Sequence, residues 1–361
     1  GGRCFTISVN ELENLKTPKR TIYLAARDAY SGIPLWKVNC ETNYGGAELD
    51  WRNVWPLVAT DRRVYTVRTN ELIVVDAASG QVEATLPTKY QPKRLLLLDD
   101  TLVAACWDKM ESKGQYEADD LRATWWPVGE GRVEAFEAGS GKPKWTLPLS
   151  VLTMAASDGQ VYLLTHKGNP PTERNVVAVD LATGKEKWSV PHTAVGTNAD
   201  IYLSLAGPGC AVVSRIRGKP EVTVLSAKDG AILFKIPNSS ARSVVNGELW
   251  CSDGRYELPT GKKLAGEGVP GAHVGGLLGG CVPAIVVGGR YITGSRSGAF
   301  SQLPDSPGKP ATRLSYPGAR GACIQGMVPA NGMFYTAQNS CACNMAQVGG
   351  FLAVGPCGDL P

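Results

Sequence analysis

The chain is predicted to be an all-β propeller, a ring of about eight four-stranded blades, with seven as the competing count. Three observations lead there: a short pattern repeated six times, spacings close to the length of a blade, and β-rich runs beside the copies. The copies begin at Asp28 (DAYSGIPLW), Asp76 (DAASGQVEA), Glu137 (EAGSGKPKW), Asp180 (DLATGKEKW), Ser226 (SAKDGAILF) and Glu257 (ELPTGKKLA). Each opens on an acidic or polar residue, carries Ser, Thr or Asp at +3 and glycine at +4, and closes at +8 on an aromatic or small residue. Periodic units of this size mark solenoids, propellers and arrays. The starts lie 48, 61, 43, 46 and 31 residues apart, against about 40–50 for a four-stranded blade.

Within a copy, Gly32, Gly80, Gly141, Gly184, Gly230 and Gly261 fall where a tight turn demands positive φ. Runs such as Leu72 to Val75, Val176 to Val179 and Val222 to Leu225 supply the strand before the turn. Val64 to Val67 and Val161 to Leu164 supply the hairpin upstream. Four short strands make one blade. Trp36, Trp145, Trp188 and Phe234 close the outer strands, where a large aromatic packs into the groove beside the next blade. Burying one such ring contributes about 2–3 kcal/mol, so these four residues are expected to lock neighbouring blades.

The expected blades span residues 1–45, 50–90, 93–149, 150–192, 198–238, 241–266, 281–318 and 321–358 of a single domain. The 61-residue step carries an insertion from about Trp107 to Glu130, and the 31-residue step marks a trimmed blade from Trp250 to Leu264. The last two blades are degenerate and lack a closing Trp. Ring closure is expected from pairing of Arg3 to Ser8 with the strand from Gly350 to Val354.

Composition supports a turn-rich β protein over a disordered chain: 42 Gly and 24 Pro accompany 43% hydrophobic and 19% charged residues. No apolar run is long enough to cross a bilayer as a helix. The net charge of +4 is spread along the chain. Short basic runs at Lys16 to Arg20 and Arg215 to Lys219 read as solvated loops, so nucleic acid is not an expected partner. The chain opens directly in strand sequence, consistent with a removed leader or with a piece of a longer protein.

The repeats Asp28–Trp36, Glu137–Trp145 and Asp180–Trp188 resemble the tryptophan-docking repeat of the pyrroloquinoline-quinone (PQQ)-like propeller superfamily. Quinoprotein alcohol dehydrogenases and the propeller lipoprotein of the outer-membrane assembly machine belong to it. ARDAYSGIPLWK and CIQGMVPANGMFYTAQNSCAC further resemble exported PQQ-binding-like repeat proteins of planctomycete type. The resemblance implies export to the periplasm or cell surface of a bacterium, where cysteines oxidise. Ten cysteines are present, and Cys281, Cys323, Cys341 and Cys343 cluster in the last third as candidate disulfide partners. Cys341 and Cys343 do not readily bond each other, so each is expected to pair elsewhere, at about 2–4 kcal/mol per bridge. A thiolate metal site is the alternative for Cys-x-Cys. The sequence has no Cys-x-x-Cys, and His166, His192 and His273 show no Cys-His spacing.

Dehydrogenases of the superfamily use a catalytic Asp, a calcium or lanthanide held by Glu, Asn and Asp, and adjacent cysteines above the quinone. This chain has no Cys-Cys pair, and no metal triad falls on matching positions. No catalytic or metal-ligating residue is assigned, cofactor-binding residues are unknown, and no cofactor is expected; PQQ with calcium is the alternative. The insertion is the candidate partner loop through Trp107, Tyr116, Trp125 and Trp126, since exposed aromatics make good anchors; the competing view has Trp125 and Trp126 covering a blade edge. Glu117, Asp119 and Asp120 lack the spacing of an EF-type calcium loop. The glycine-rich stretch 268–289 lacks the ending of a phosphate loop. The expected function is a non-catalytic scaffold presenting rim loops to another protein or cell-envelope component. The alternatives are a divergent quinone-dependent dehydrogenase, or a sensor or accessory domain of a larger protein.

Overall fold

Middle strands that are apolar at every position must be covered on both faces, and stacking one sheet against the next supplies that cover. In a computed structural model the described residues are 2–10, 20–44, 56–112, 125–167, 173–191, 201–215, 220–239 and 241–264, with short strands at 285–287, 290–293, 299–302, 312–315, 327–330, 333–336 and 352–354. Every element among them is a strand, gathered into eight antiparallel sheets.

Sheet one holds β1 (Arg3–Asn10), β2 (Arg20–Asp28) and β3 (Pro34–Tyr44). Sheet two holds β4 (Leu57–Ala59), β5 (Arg63–Arg68), β6 (Glu71–Asp76) and β7 (Val82–Leu86). Sheet three holds β8 (Gln91–Leu98), β9 (Thr101–Ser112), β10 (Trp125–Glu137) and β11 (Pro143–Leu147). Sheet four holds β12 (Val151–Ser157), β13 (Gln160–Lys167), β14 (Glu173–Asp180) and β15 (Glu186–Pro191). Sheet five holds β16 (Ile201–Gly207), β17 (Cys210–Arg215), β18 (Glu221–Ser226) and β19 (Ile232–Pro237).

The trimmed sixth sheet keeps β20 (Ala241–Val245), β21 (Glu248–Cys251) and β22 (Gly254–Glu257), with a single bridge from Tyr256 to Lys263 where a fourth strand would run. Sheet seven holds β23 (Ile285–Val287), β24 (Arg290–Thr293), β25 (Ala299–Gln302) and β26 (Thr312–Ser315). Sheet eight holds β27 (Met327–Ala330), β28 (Met333–Thr336) and β29 (Leu352–Val354).

Burial follows strand position. The four central residues of β5, β6 and β18 are all buried, whereas the outer strands β7 and β19 bury far fewer. Successive residues of a middle strand therefore serve different neighbours. Tyr162 and Leu164 pack with Ala211, Val213 and Leu225 of sheet five. Val161 and Leu163, one residue out of phase, pack with Val103, Ala105 and Val133 of sheet three. The strands that open the sheets, β4, β8, β12, β16, β20 and β23, touch one another in succession. That is a radial stack of blades about an axis lined by their first strands.

Among the described residues no rung joins β1 to β29, and Gly350 and Phe351 of the expected closing strand lie outside them. Arg3–Asn10 pairs with Arg20–Asp28, from Arg3 opposite Asp28 to Asn10 opposite Thr21, and β29 pairs with β28. Gly2, at φ 81°, occupies the turn position of Gly159 and Gly209. Its carbonyl accepts the Ala29 N–H just as theirs accept Leu181 and Ala227.

Candidate functional site

Each repeat turn is built by its own side chains. The Asp28 carboxylate accepts the Ser31 N–H at 2.7 Å and the Ser31 hydroxyl at 2.8 Å, and Asp76 repeats this with Ser79 at 2.7 Å for both. Asp180 does the same with Thr183 at 2.9 and 2.8 Å. Hydrogen bonds from Ser31, Ser79 and Thr183 hold these three carboxyls below the usual aspartate range. In the fifth copy the roles are exchanged: Ser226 opens the turn, and its hydrogen bond lowers Asp229 at +3. The pattern thus encodes an acceptor and a hydroxyl three residues apart, in either order.

The closing residue of one copy seats on the turn of the next. Trp36 Nε1 donates to Ala77 O at 3.2 Å, Trp145 to Leu181 O at 2.8 Å and Trp188 to Ala227 O at 2.9 Å. The accepting carbonyl always belongs to position +1 of the following repeat. A Cβ on Gly80, Gly184, Gly230 or Gly261 would fall 2.6–2.7 Å from Trp36, Trp145, Trp188 or Phe234 respectively. Positive φ, near 70° at these glycines, and close approach of a ring both require the bare backbone.

The joint between blades two and three departs from the pattern. Ala84 stands opposite Val74 as Trp188 stands opposite Ala178, and it is too small to reach across. Leu86, two residues on, covers Gly141 instead, and Tyr65 Oη donates to Ala138 O at 2.8 Å. Arg63, paired with Glu83 at 2.6 Å, also donates to Gly139 O. Sequence reasoning missed Tyr65 and Leu86; the signal was an alanine in a slot that elsewhere holds an aromatic.

Among the described residues, blade three departs from the pattern at the opposite end from these turns. The β9–β10 ladder continues to Ser112 opposite Trp125, with a register shift between Val128 and Gly131. β8 stops at Gln91, opposite Trp107, and β11 stops at Leu147, opposite Val133. The final rungs of β9 and β10 therefore form a two-stranded arm beyond the blade. Its base is tied to the crossover from blade two: Glu130 accepts Tyr90 Oη and Lys89 Nζ, the latter at 3.2 Å. Gly131 admits the backbone of Leu149 and Ser150, which run too close for any Cβ there.

Of the residues expected in the partner loop, Trp125 and Trp126 lie on the arm, opposite Ser112 and Glu111. Tyr116 lies outside the described residues. Trp107, expected to be exposed, is only 2% exposed and packs under the Arg94 guanidinium, 5.7 Å from Cζ to ring centroid. β9 is still inside the blade at that point, so the ring is buried.

Cys281, Cys323, Cys341 and Cys343 lie outside the described residues. The thiols of Cys40, Cys106 and Cys210 are buried, and burial raises all three, Cys40 and Cys210 to about 11. Such thiols are poor nucleophiles. Glu134, where other blades place Ile73, Val177 or Thr223, was a further miss. It is 7% exposed and accepts the Lys89 N–H at 3.3 Å beside Arg132 Nε at 3.4 Å. It fastens the crossover that carries the arm's base. Among the described residues no group of three or more His, Cys, Asp or Glu could hold a metal ion, so no donor set for a calcium is found there. Nor is any helix there long and apolar enough to cross a membrane.

A PQQ-like repeat model, described as outer membrane protein assembly factor BamB, matches residues 127–253, from the arm through blades four and five into blade six. Quinohemoprotein alcohol dehydrogenase ADHIIG from Pseudomonas putida HK5 superposes with a TM-score of 0.51 at 12% identity, covering 94% of this chain and 72% of that one. The chain has the β-propeller fold, and residues 127–253 match a PQQ-like repeat. BamB from Moraxella catarrhalis is similar at a TM-score of 0.42 and 14% identity, over 89% of this propeller and 78% of that chain. A europium-containing methanol dehydrogenase is similar at 0.41 and 10%, over 94% and 73%. At these identities the likeness is one of fold. No curated protein matches the propeller in sequence.

Proposed function

We propose that this propeller is a non-catalytic scaffold of the bacterial cell envelope that engages another protein through the arm of blade three. The observation that carries this reading is the arm itself. β9 and β10 have 12 and 13 residues, where the equivalent β13 and β14 have 8 each. A two-stranded ribbon of this kind is marginal alone in water and gains stability against a second surface. Function in propellers lies in loops grafted on a common frame, and here the frame is regular where the arm is not. The match to a model named for an assembly factor supports the same reading, with export and an envelope partner as its consequences.

The test replaces residues 109–128 with a two-residue turn like Thr69–Asn70 of blade two. The trimmed protein is expected to keep its far-UV spectrum and to lose photo-crosslinks formed by a probe at Asp108 in envelope fractions. A trimmed protein that crosslinks as before refutes the role of the arm. Uptake of PQQ with calcium, and dye-linked alcohol oxidation, would refute the non-catalytic assignment and favour the dehydrogenase.

A further inference from the structure

β8 forms the inner edge of blade three, and its register on β9 shifts between Pro92 and Arg94, with Lys93 the extra residue at the bulge. A bulge of this kind re-aims side chains at a sheet edge. Arg94 follows it, partly exposed, with its guanidinium over the Trp107 ring and Nη1 donating to Lys93 O at 3.0 Å. Lys93 Nζ reaches Gln91 Oε1. Two cations thus stand side by side on the strand that faces the axis.

No carboxylate among the described residues answers Arg94. Glu130 is held by Lys89 and Tyr90, and Glu134 by Arg132 and the Lys89 N–H. Burial alone acts on the guanidinium, lowering its pKa, with no acidic group among the causes. The Trp107 indole Nε1 beneath it is buried and has no acceptor among the described residues. A partly desolvated cation with no counterion among the described residues is unfavourable, and an oxyanion bound from outside would offset that cost. The guanidinium fork matches the paired oxygens of phosphate and carboxylate.

We propose that Arg94, with Lys93 beside it and the Trp107 ring under it, anchors an oxyanion site on the inner edge of blade three, taking a phosphate or a carboxylate. The site is independent of the arm's proposed partner.

The test is thermal unfolding of the full chain, titrated separately with sodium phosphate and sodium acetate against sodium chloride at equal ionic strength. At least one oxyanion raises the midpoint saturably, by about 2 °C at ten times its dissociation constant; which salt acts tells phosphate from carboxylate. Arg94→Gln loses the saturable rise, and Lys185→Gln, a change on an exposed turn, keeps it. Arg94→Met retains the packing of the stem and, without added oxyanion, unfolds at or above the wild-type midpoint. A wild-type protein with no saturable response to either salt overturns the proposal. So does an Arg94→Gln protein that keeps the response, or an Arg94→Met protein that unfolds several degrees lower.

Discussion

Trp188→Ala should cut the joint between blades four and five, and the size of the loss can be worked from the structure. Trp188 is 8% exposed, its ring lies 5.9 Å from that of Tyr162, and its Nε1 donates to Ala227 O at 2.9 Å. A Trp side chain buries about 150–250 Å², which at about 25 cal/mol per Å² is roughly 4–6 kcal/mol. A compact unfolded chain trims that by about 10–40%, and the lost hydrogen bond adds about 1 kcal/mol. The expected cost is about 3–6 kcal/mol, overlapping the range of other buried Trp→Ala changes. Gly230→Ala has two separable costs. Positive φ contributes about 1–2 kcal/mol, and the collision with the ring contributes about 1–3 kcal/mol more. Removing the ring removes the collision, so the double variant should be less destabilised than the sum of the singles by about 1–3 kcal/mol. Urea unfolding followed by far-UV circular dichroism measures all four proteins. A Trp188→Ala cost under about 1 kcal/mol, or strict additivity with Gly230→Ala, would refute the seating of the indole on the turn.

Three further outcomes follow from the same geometry. Tyr65→Phe should cost about 1 kcal/mol and Leu86→Ala about 2–4 kcal/mol in the same urea assay, because together they replace the absent aromatic at position 84. Asp28, Asp76 and Asp180 have folded pKa values below the unfolded value of about 3.9. Their stabilisation is present above that value and is lost as pH falls through the depressed values; Ser79→Ala should therefore lower stability at neutral pH, change it little below the depressed values, and so flatten the acid limb of a stability–pH profile. Gly131→Ala, whose new methyl would strike the Ser150 backbone, should lower the thermal midpoint by several degrees, whereas Gly159→Ala meets no atom within 4 Å and carries only the strain of φ 68°.

The sequence made the joints legible because the closing aromatic and the turn glycine are each written at a fixed offset, and the structure adds only that they belong to consecutive copies. Ala84 hid its substitutes because Tyr65 sits on another strand and Leu86 outside the nine-residue frame. Trp107 read as the start of an exposed insertion since linear sequence does not show where a lengthened strand leaves its blade. Arg94 and Glu134 were invisible for a related reason: isolated charges in β-rich runs look like solvent-facing residues until the neighbouring blade covers them.

Hydrogen exchange at the indole nitrogens tests the radial arrangement most directly. With ¹⁵N-labelled tryptophan and single Trp→Phe assignments, the Nε1 protons of Trp36, Trp145 and Trp188 should exchange far more slowly than those of free indole, each accepted by a carbonyl of the following blade. Exchange of all three at the free-indole rate in the folded protein would contradict it.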